Sequence, residues 1–318
     1  MSEKYLKVAG VLAILVLFAL PHFANSYIVH IGILIYSFGF LSSAWNIVGG
    51  FAGQLSLGHA LFFGVGAYTS TLMLTRLGIS PWIGMLIGGM ISAIIALPIG
   101  VIVFRYKLRG VFFAIATLCF AEIFRILVSQ MRFTGGSEGL LIPIMDSSWI
   151  NFQFESKLPY YYIAYIMMLL MLSVCYVVKR TKLYYYLFSV KGDEDAASAI
   201  GVNANRYKTM AFVISAFFTS FNGTFFAQYY MFIEPETTCA IPVSIDILMR
   251  PIIGGLGTLF GPILGSFIMT PLSEIIRKVV GSGMSGVHLL VYGVFLIIIC
   301  IWMPGGILPY IARTIKTK

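Results

Sequence analysis

Long apolar runs recur along the whole chain and restrict its fold more than any other feature. Nine runs are predominantly apolar: Val8 to Leu20, Ile28 to Val48, Ala60 to Leu74, Ile83 to Phe104, Val111 to Val128, Tyr160 to Val178, Met210 to Met231, Ile245 to Met269 and Val287 to Met303. A helix needs about 17 to 25 such residues to cross a bilayer. Lipid offers no partner to the backbone, and the runs lack the alternation of barrel strands. We therefore predict an all-α, polytopic transmembrane bundle of about nine or ten spans.

The basic residues predict how these spans are oriented. Fourteen of the 21 Lys and Arg residues fall in four segments: Lys4 and Lys7, the turn from Arg105 to Arg109, the stretch from Lys179 to Lys208, and the tail from Arg313 to Lys318. The positive-inside tendency makes these segments cytoplasmic. The loops between them are acidic, with Glu138, Asp146, Glu155, Glu234 and Glu236 against Arg76, Arg132 and Lys157. The net charge of +9 therefore reflects membrane topology and not nucleic-acid binding.

An odd number of spans would place the two basic ends of the chain on opposite sides. The glycine-rich sequence from Gly254 to Pro262 solves this conflict, because it is expected to divide the run Ile245 to Met269 into two shorter helices. Arg277 and Lys278 would then lie outside. We expect the first run to be a retained signal anchor rather than a cleaved signal peptide.

The segment from Gly49 to Tyr68 contains six glycines in twenty residues, which is unfavourable for a helix. Glycine here permits either close helix packing or an unwound stretch that lines a polar cavity, and the sequence leaves both open. Polar side chains at membrane depth are costly unless they face protein or water. We expect the substrate path at Gly49, Gly50, Gly53, Gln54, Ser56, Gly58 and His59. The second glycine-rich span, Gly254 to Gly265, is a possible counterpart.

Two pairs of opposite charges lie within apolar runs at helical spacing. Glu122 and Arg125 are three residues apart, and Asp246 and Arg250 are four apart. We interpret both as structural ion pairs in preference to substrate contacts.

The stretch from Lys179 to Lys208 is too long for a simple connector. Within it, the sequence GDEDAASAIG from Gly192 to Gly201 predicts a short helix that begins at Asp193 or Glu194 and stops at Gly201. We predict that it docks a cytoplasmic partner.

Several chemistries have no motif in this chain. No Gly precedes a Lys, so a G-x-x-x-x-G-K-[ST] phosphate loop is absent, and so is the H-E-x-x-H motif. The four cysteines and four histidines are dispersed. We expect no catalytic residue, no metal and no cofactor on this chain.

Four motifs resemble those of a known family: GGFAGQLSLGHALFFGVGAY at Gly49, RGVFFAIATLCFAEI at Arg109, FTGGSEGL at Phe133 and NRYKTMAFVISAFF at Asn205. Together they are similar to the LivM-type permease of branched-chain amino-acid ABC importers, over nearly the whole chain. The resemblance implies a single permease domain, residues 1–318, in the cytoplasmic membrane of a prokaryote. It also implies a LivH-type permease, two cytoplasmic subunits that use ATP and Mg, and an extracytoplasmic solute-binding protein as partners.

The family also carries a cytoplasmic E-A-A-x-x-x-G coupling motif. Asp195 to Gly201 resembles it, with Asp in place of Glu. The resemblance therefore implies ATPase coupling at Glu194, Asp195, Ala196, Ala197 and Gly201, within a loop of about residues 179–208. The alternatives are a permease for urea or short amides, or a secondary transporter, and the latter predicts intramembrane ionisable relays that only Glu122 and Arg125 could supply.

Overall fold

The computed structural model describes residues 17–22, 24–280, 290, 293, 294, 297, 301–303 and 305–316. Most of the first and last predicted spans, Val8 to Leu20 and Val287 to Met303, therefore lie outside the described residues, and so does the choice between signal anchor and signal peptide.

The described part is almost entirely helical. In chain order the helices are α1 (Ser26–Asn46), α2 (His59–Leu77), α3 (Pro81–Arg105), α4 (Val111–Gln130), α5 (Lys157–Arg180), α6 (Lys182–Gly192), α7 (Glu194–Ala199), α8 (Ala204–Tyr230), α9 (Pro235–Thr238), α10 (Ile241–Gly254), α11 (Gly261–Val280) and α12 (Ile307–Lys316). Two short strands, β1 (Leu140–Leu141) and β2 (Phe232–Ile233), pair antiparallel, with Leu140 opposite Ile233.

Six helical segments of the described residues are long and apolar enough to cross a bilayer: Ser26–Phe51, Pro81–Arg105, Val111–Gln130, Lys157–Arg180, Ala204–Tyr230 and Pro235–Gly254. They confirm the predicted polytopic helical bundle. The run from Ile245 to Met269 is divided as predicted, because α10 ends at Gly254 and α11 begins at Gly261.

Helix α2 lies in the interior and packs against α3 and α8. Its backbone touches α8 directly. A side chain at Gly66 would overlap the Ser220 carbonyl, and one at Gly223 would overlap the Phe63 carbonyl. Small residues allow such close approach between membrane helices, where packing and not the hydrophobic effect drives association. Thr224 Oγ1 adds a hydrogen bond of 3.1 Å to the Gly66 carbonyl.

The charged segments separate to opposite ends of the bundle. At one end Arg109, beyond α3, pairs with Asp195 of α7, and Pro309 of α12 lies beside Gly255. The predicted basic turn, the basic stretch and the helix of the basic tail therefore share the end that we predict to be cytoplasmic. At the other end β1 and β2 pair, and Lys278 lies over the ring of Tyr27.

Candidate functional site

The first helix interruption occupies the glycine-rich segment after α1. The helix widens into one π-type turn over Ile47–Phe51, and residues 52–58 form no helix before α2 begins at His59. Gly53 has a φ of +69°, a left-handed backbone that glycine adopts without steric cost. The unwound stretch therefore exists. Close packing through glycine occurs as well, at Gly66 farther along the same segment.

The polar side chains of this interruption point into the bundle. Gln54 is buried, and Ser56 and His59 are completely so. The His59 ring lies 3.0 Å from Ser56 Oγ through Nδ1 and 2.7 Å from Ser215 Oγ through Nε2. Ser215 donates its single hydroxyl proton to the Ala44 carbonyl, at 2.7 Å, so it must accept from His59. The geometry therefore places a proton on Nε2, and Nδ1 completes the hydrogen bonding of the ring with Ser56 Oγ.

Side chains of neighbouring elements hold the unwound backbone. Hydrogen bonds join Leu57 N–H to Thr117 Oγ1 at 3.1 Å, Ala60 N–H to Ser244 Oγ at 2.9 Å, and the Ser56 carbonyl to Trp45 Nε1 at 2.8 Å. These contacts satisfy backbone groups that have no helical partner. Sequence reasoning missed these residues, because a lone Ser, Thr or Trp in an apolar run gives no signal of its own.

One edge of the interruption is open. Gly53 and Leu55 are exposed, whereas Gln54 and Ser56 between them are buried. Among the other residues of the predicted path, Gly49, Gly50 and Gly58 are buried. The seven predicted path residues thus lie in one segment, and Gly53 is the one on its exposed edge. Their contact with substrate stays a prediction.

The second interruption lies beside the first. Gly255 and Gly257 have φ of +137° and +77°, so the chain turns sharply between α10 and α11. Asn46, which is 1% exposed, bridges the two breaks through its amide. Its Oδ1 accepts from Gly257 N–H and its Nδ2 donates to the Thr258 carbonyl, both at 2.9 Å. The suggested pairing of the glycine-rich spans is therefore a direct contact, made by a residue that sequence reasoning missed.

The predicted cytoplasmic helix is α7. Asp193 caps it, because its Oδ1 accepts from the N–H groups of Asp195 at 2.9 Å and Ala196 at 3.0 Å. Gly201 follows with a φ of +90°, as expected of a helix stop. The predicted start at Asp193 or Glu194 and the stop at Gly201 are confirmed.

Ion pairs fasten α7 to the membrane bundle. The Glu194 carboxylate lies 2.7 Å from the ammonium of Lys208, a fully buried residue of α8, and 2.8 Å from Arg109 Nε. Arg109 also pairs with the exposed Asp195 at 2.9 Å. The hydrogen bond from Arg109 holds the pKa of Asp195 below its usual value, and the same bond raises the pKa of Arg109.

The residues predicted to couple to the ATPase subunits divide between two faces of α7. Glu194 faces Lys208, and Ala197 packs beneath the helix against Val190 and Ala204. Asp195, Ala196 and Gly201 are exposed. A groove of about 340 Å³ opens beside this exposed face, lined in part by Asp195, Ser198 and Gly201. The coupling role stays a prediction, but the exposed set is the part that a partner can reach.

The intramembrane charges form the ion pairs that their spacing predicts, and their structural role stays a prediction. Arg125 binds Glu122 through Nε at 3.0 Å and also pairs with Glu236, which lies in α9. Arg250 pairs with Asp246 at 2.9 Å, and its guanidinium lies 3.7 Å from the ring centre of Phe38. Among the described residues, no three His, Cys, Asp or Glu side chains are grouped as metal ligands.

Residues 27–300 match the family described as branched-chain amino acid transport system / permease component. The LivM permease protein of the high-affinity branched-chain amino acid transport system of Escherichia coli K12 is 31% identical over 296 residues, which are 86% of this chain and 68% of that protein. The LivH permease protein of Salmonella typhimurium is 23% identical over 86% of this chain and 91% of its own length. The ribose import permease RbsC of Haemophilus influenzae is 24% identical over 34% of this chain and 36% of its own. No solved structure matches significantly.

Proposed function

Because the chain belongs to the family of branched-chain amino acid transport permease components, we propose that it is the membrane-spanning subunit of an ATP-driven importer for leucine, isoleucine and valine. The importer works in the cytoplasmic membrane of a prokaryote. An extracytoplasmic binding protein delivers the substrate, and this chain binds no cofactor itself.

The anchored helix α7 supports this proposal most directly. Its inner face is fixed to the bundle through Glu194 and the buried Lys208, whereas Asp195 and Ala196 face outward beside an open groove. A helix that is fixed to the bundle on one face and solvent-exposed on the other can dock cytoplasmic subunits, of which we propose two that bind Mg-ATP. Closure of those subunits moves α7, and its ion pairs carry the movement into α8.

The substrate path follows the open edge of the first interruption. Gly53 exposes its backbone there and Leu55 exposes an apolar side chain. Such a surface suits the aliphatic side chain of the substrate, whose transfer depends on the burial of apolar surface. A second permease of LivH type covers this edge. The similarity of the present chain to both LivM and LivH proteins supports this, because subunits of one fold can pair about a pseudo-twofold axis.

Transport by the complete complex in proteoliposomes tests the proposal. We expect uptake of radiolabelled leucine that requires ATP inside the vesicles and binding protein outside. Isoleucine and valine should compete with leucine for uptake, and urea should not. The permease without its ATP-binding subunits is the control and should hydrolyse no ATP. Stronger competition by urea would favour a short-amide importer, and uptake driven by an ion gradient without ATP would favour a secondary transporter.

A further inference from the structure

Lys191 connects the cytoplasmic segment to both helix interruptions. It lies in the last turn of α6, and its ammonium donates a hydrogen bond of 2.8 Å to the carbonyl of Gly50 in the π-type turn. Its side chain crosses Gly53, where a Cβ would lie 2.8 Å from Lys191 Cγ. A Cβ at Gly257 would lie 3.0 Å from the Gly50 oxygen and 3.6 Å from Lys191 Nζ. One ammonium therefore sits where the two breaks meet.

This contact differs from that of Asn46, which joins the same two breaks. Asn46 is buried, and its amide is tied to backbone groups of the second break at both ends. Lys191 is exposed as a whole and only its ammonium is partly buried at Gly50, so release from Gly50 returns the ammonium to water. The hydrogen bonds of Asn46 are therefore expected to be permanent, whereas the hydrogen bond from Lys191 to Gly50 can form and break.

Chain connectivity ties this reversible contact to α7. Lys191 stands two residues before Asp193, the cap of α7, and two residues span at most about 7 Å. Asp193 N–H is itself bonded to the Ser189 carbonyl at 3.1 Å, so α6 and α7 are joined without slack. A displacement of α7 of a few ångströms therefore has to move the Lys191 backbone, and with it the ammonium.

We propose that Lys191 is a positioning residue that latches the inner end of the substrate path: its bond to Gly50 holds the π-type turn in place until movement of α6 and α7 withdraws the ammonium. The inference rests on the proposed transport function and adds the residue through which the cytoplasmic segment controls the path. A charged donor suits this role, because it binds a bare carbonyl strongly and is also readily solvated when released.

The test compares side chains of similar length at position 191 in the reconstituted complex. Lys191→Met keeps the stem that crosses Gly53 but removes the donor, and Lys191→Arg keeps both. The matched control is Lys182→Met, which removes an exposed lysine from the first turn of the same helix. ATP hydrolysis is measured with and without leucine-loaded binding protein, and leucine uptake is measured over a range of substrate concentrations.

If the latch exists, Lys191→Met raises basal hydrolysis, and the stimulation by loaded binding protein falls by about fivefold, the loss expected for one partly solvated charged hydrogen bond. Leucine moved per ATP falls in parallel, whereas the half-saturating leucine concentration is unchanged, since the binding protein sets it. Lys191→Arg restores coupling, and Lys182→Met behaves as the wild type. A role in packing alone predicts a smaller amount of complex with unaltered stimulation per complex.

Wild-type stimulation and stoichiometry in Lys191→Met would overturn the latch. If Lys191→Met does not assemble, Lys191→Gln decides, because a shorter, neutral donor should be partly uncoupled and equal coupling to Lys191→Arg would refute a role for the charge. These outcomes differ from a failure of the proposed function, in which the wild-type complex would itself show no leucine uptake dependent on ATP.

Discussion

Replacing Glu194 with Gln should loosen α7 from the membrane bundle far more than replacing its partner Lys208 with Met. The asymmetry follows from burial. The Lys208 side chain is 0% exposed. In Glu194→Gln its buried ammonium therefore loses the carboxylate partner, and the contact with the Phe104 ring, 5.0 Å away, remains. In Lys208→Met the apolar side chain fills the same space, and the Glu194 carboxylate keeps Arg109 at 2.8 Å.

The expected magnitudes are well separated. Removing one partner of a buried ion pair costs about 3–5 kcal/mol, and because Gln retains an acceptor oxygen we expect about 2–3 kcal/mol for Glu194→Gln. For Lys208→Met we expect about 1 kcal/mol, since the remaining carboxylate stays paired. These values correspond to about 30- to 150-fold and about fivefold more frequent opening of α7.

Limited chymotryptic cleavage of the 182–203 segment measures this opening, because Tyr185 and Phe188 of α6 are exposed but the helical backbone around them must unfold locally before it can be cleaved. With opening and closing faster than cleavage, the rate follows the open population. The double variant Glu194→Gln with Lys208→Met buries no unpaired charge and should be cleaved more slowly than Glu194→Gln alone. Cleavage of Lys208→Met as fast as Glu194→Gln, or additive effects in the double variant, would refute the reasoning.

Three further predictions concern the backbone of α8, the α7 stop and the pH response. Gly223→Ala should reduce the amount of permease in the membrane, measured by immunoblot, because the new Cβ overlaps the Phe63 carbonyl. The side chain of Gly201→Val meets open space, so the amount of permease should be unchanged. Strain of about 1–2 kcal/mol at φ +90° should instead weaken the stimulation of ATP hydrolysis, which hydrolysis assays measure. The bond to Arg109 lowers the pKa of Asp195, so its contribution is complete above the unfolded value of about 3.9 and is lost as pH falls through the lower folded value. The difference between wild type and Asp195→Asn in amide-hydrogen protection of α7 should therefore be constant from about pH 8 to pH 5 and shrink only below about pH 4.

Local sequence signals predicted the features that depend on residues near one another in the chain. The length and apolarity of the runs predicted the helical spans, because a bilayer fixes both. The spacing of Glu122 and Arg125 predicted an ion pair, because residues three apart share a helix face. Gly254 to Pro262 predicted a break for the same local reason, since glycine and proline oppose a continuous helix.

Only the tertiary structure decided which side chains meet across the bundle. Asn46 and Thr258 are 212 positions apart, and Lys191 and Gly50 are 141 apart. Their contacts depend on how each helix is rotated and where each break falls, and neither quantity is encoded in a local pattern. The same holds for Glu194, which was predicted to be a coupling residue but which faces α8 and pairs with the buried Lys208. The sequence by itself determined a membrane bundle with two glycine breaks and predicted the short helix α7, whereas long-range packing determined that the two breaks meet and that α6 contacts them through Lys191.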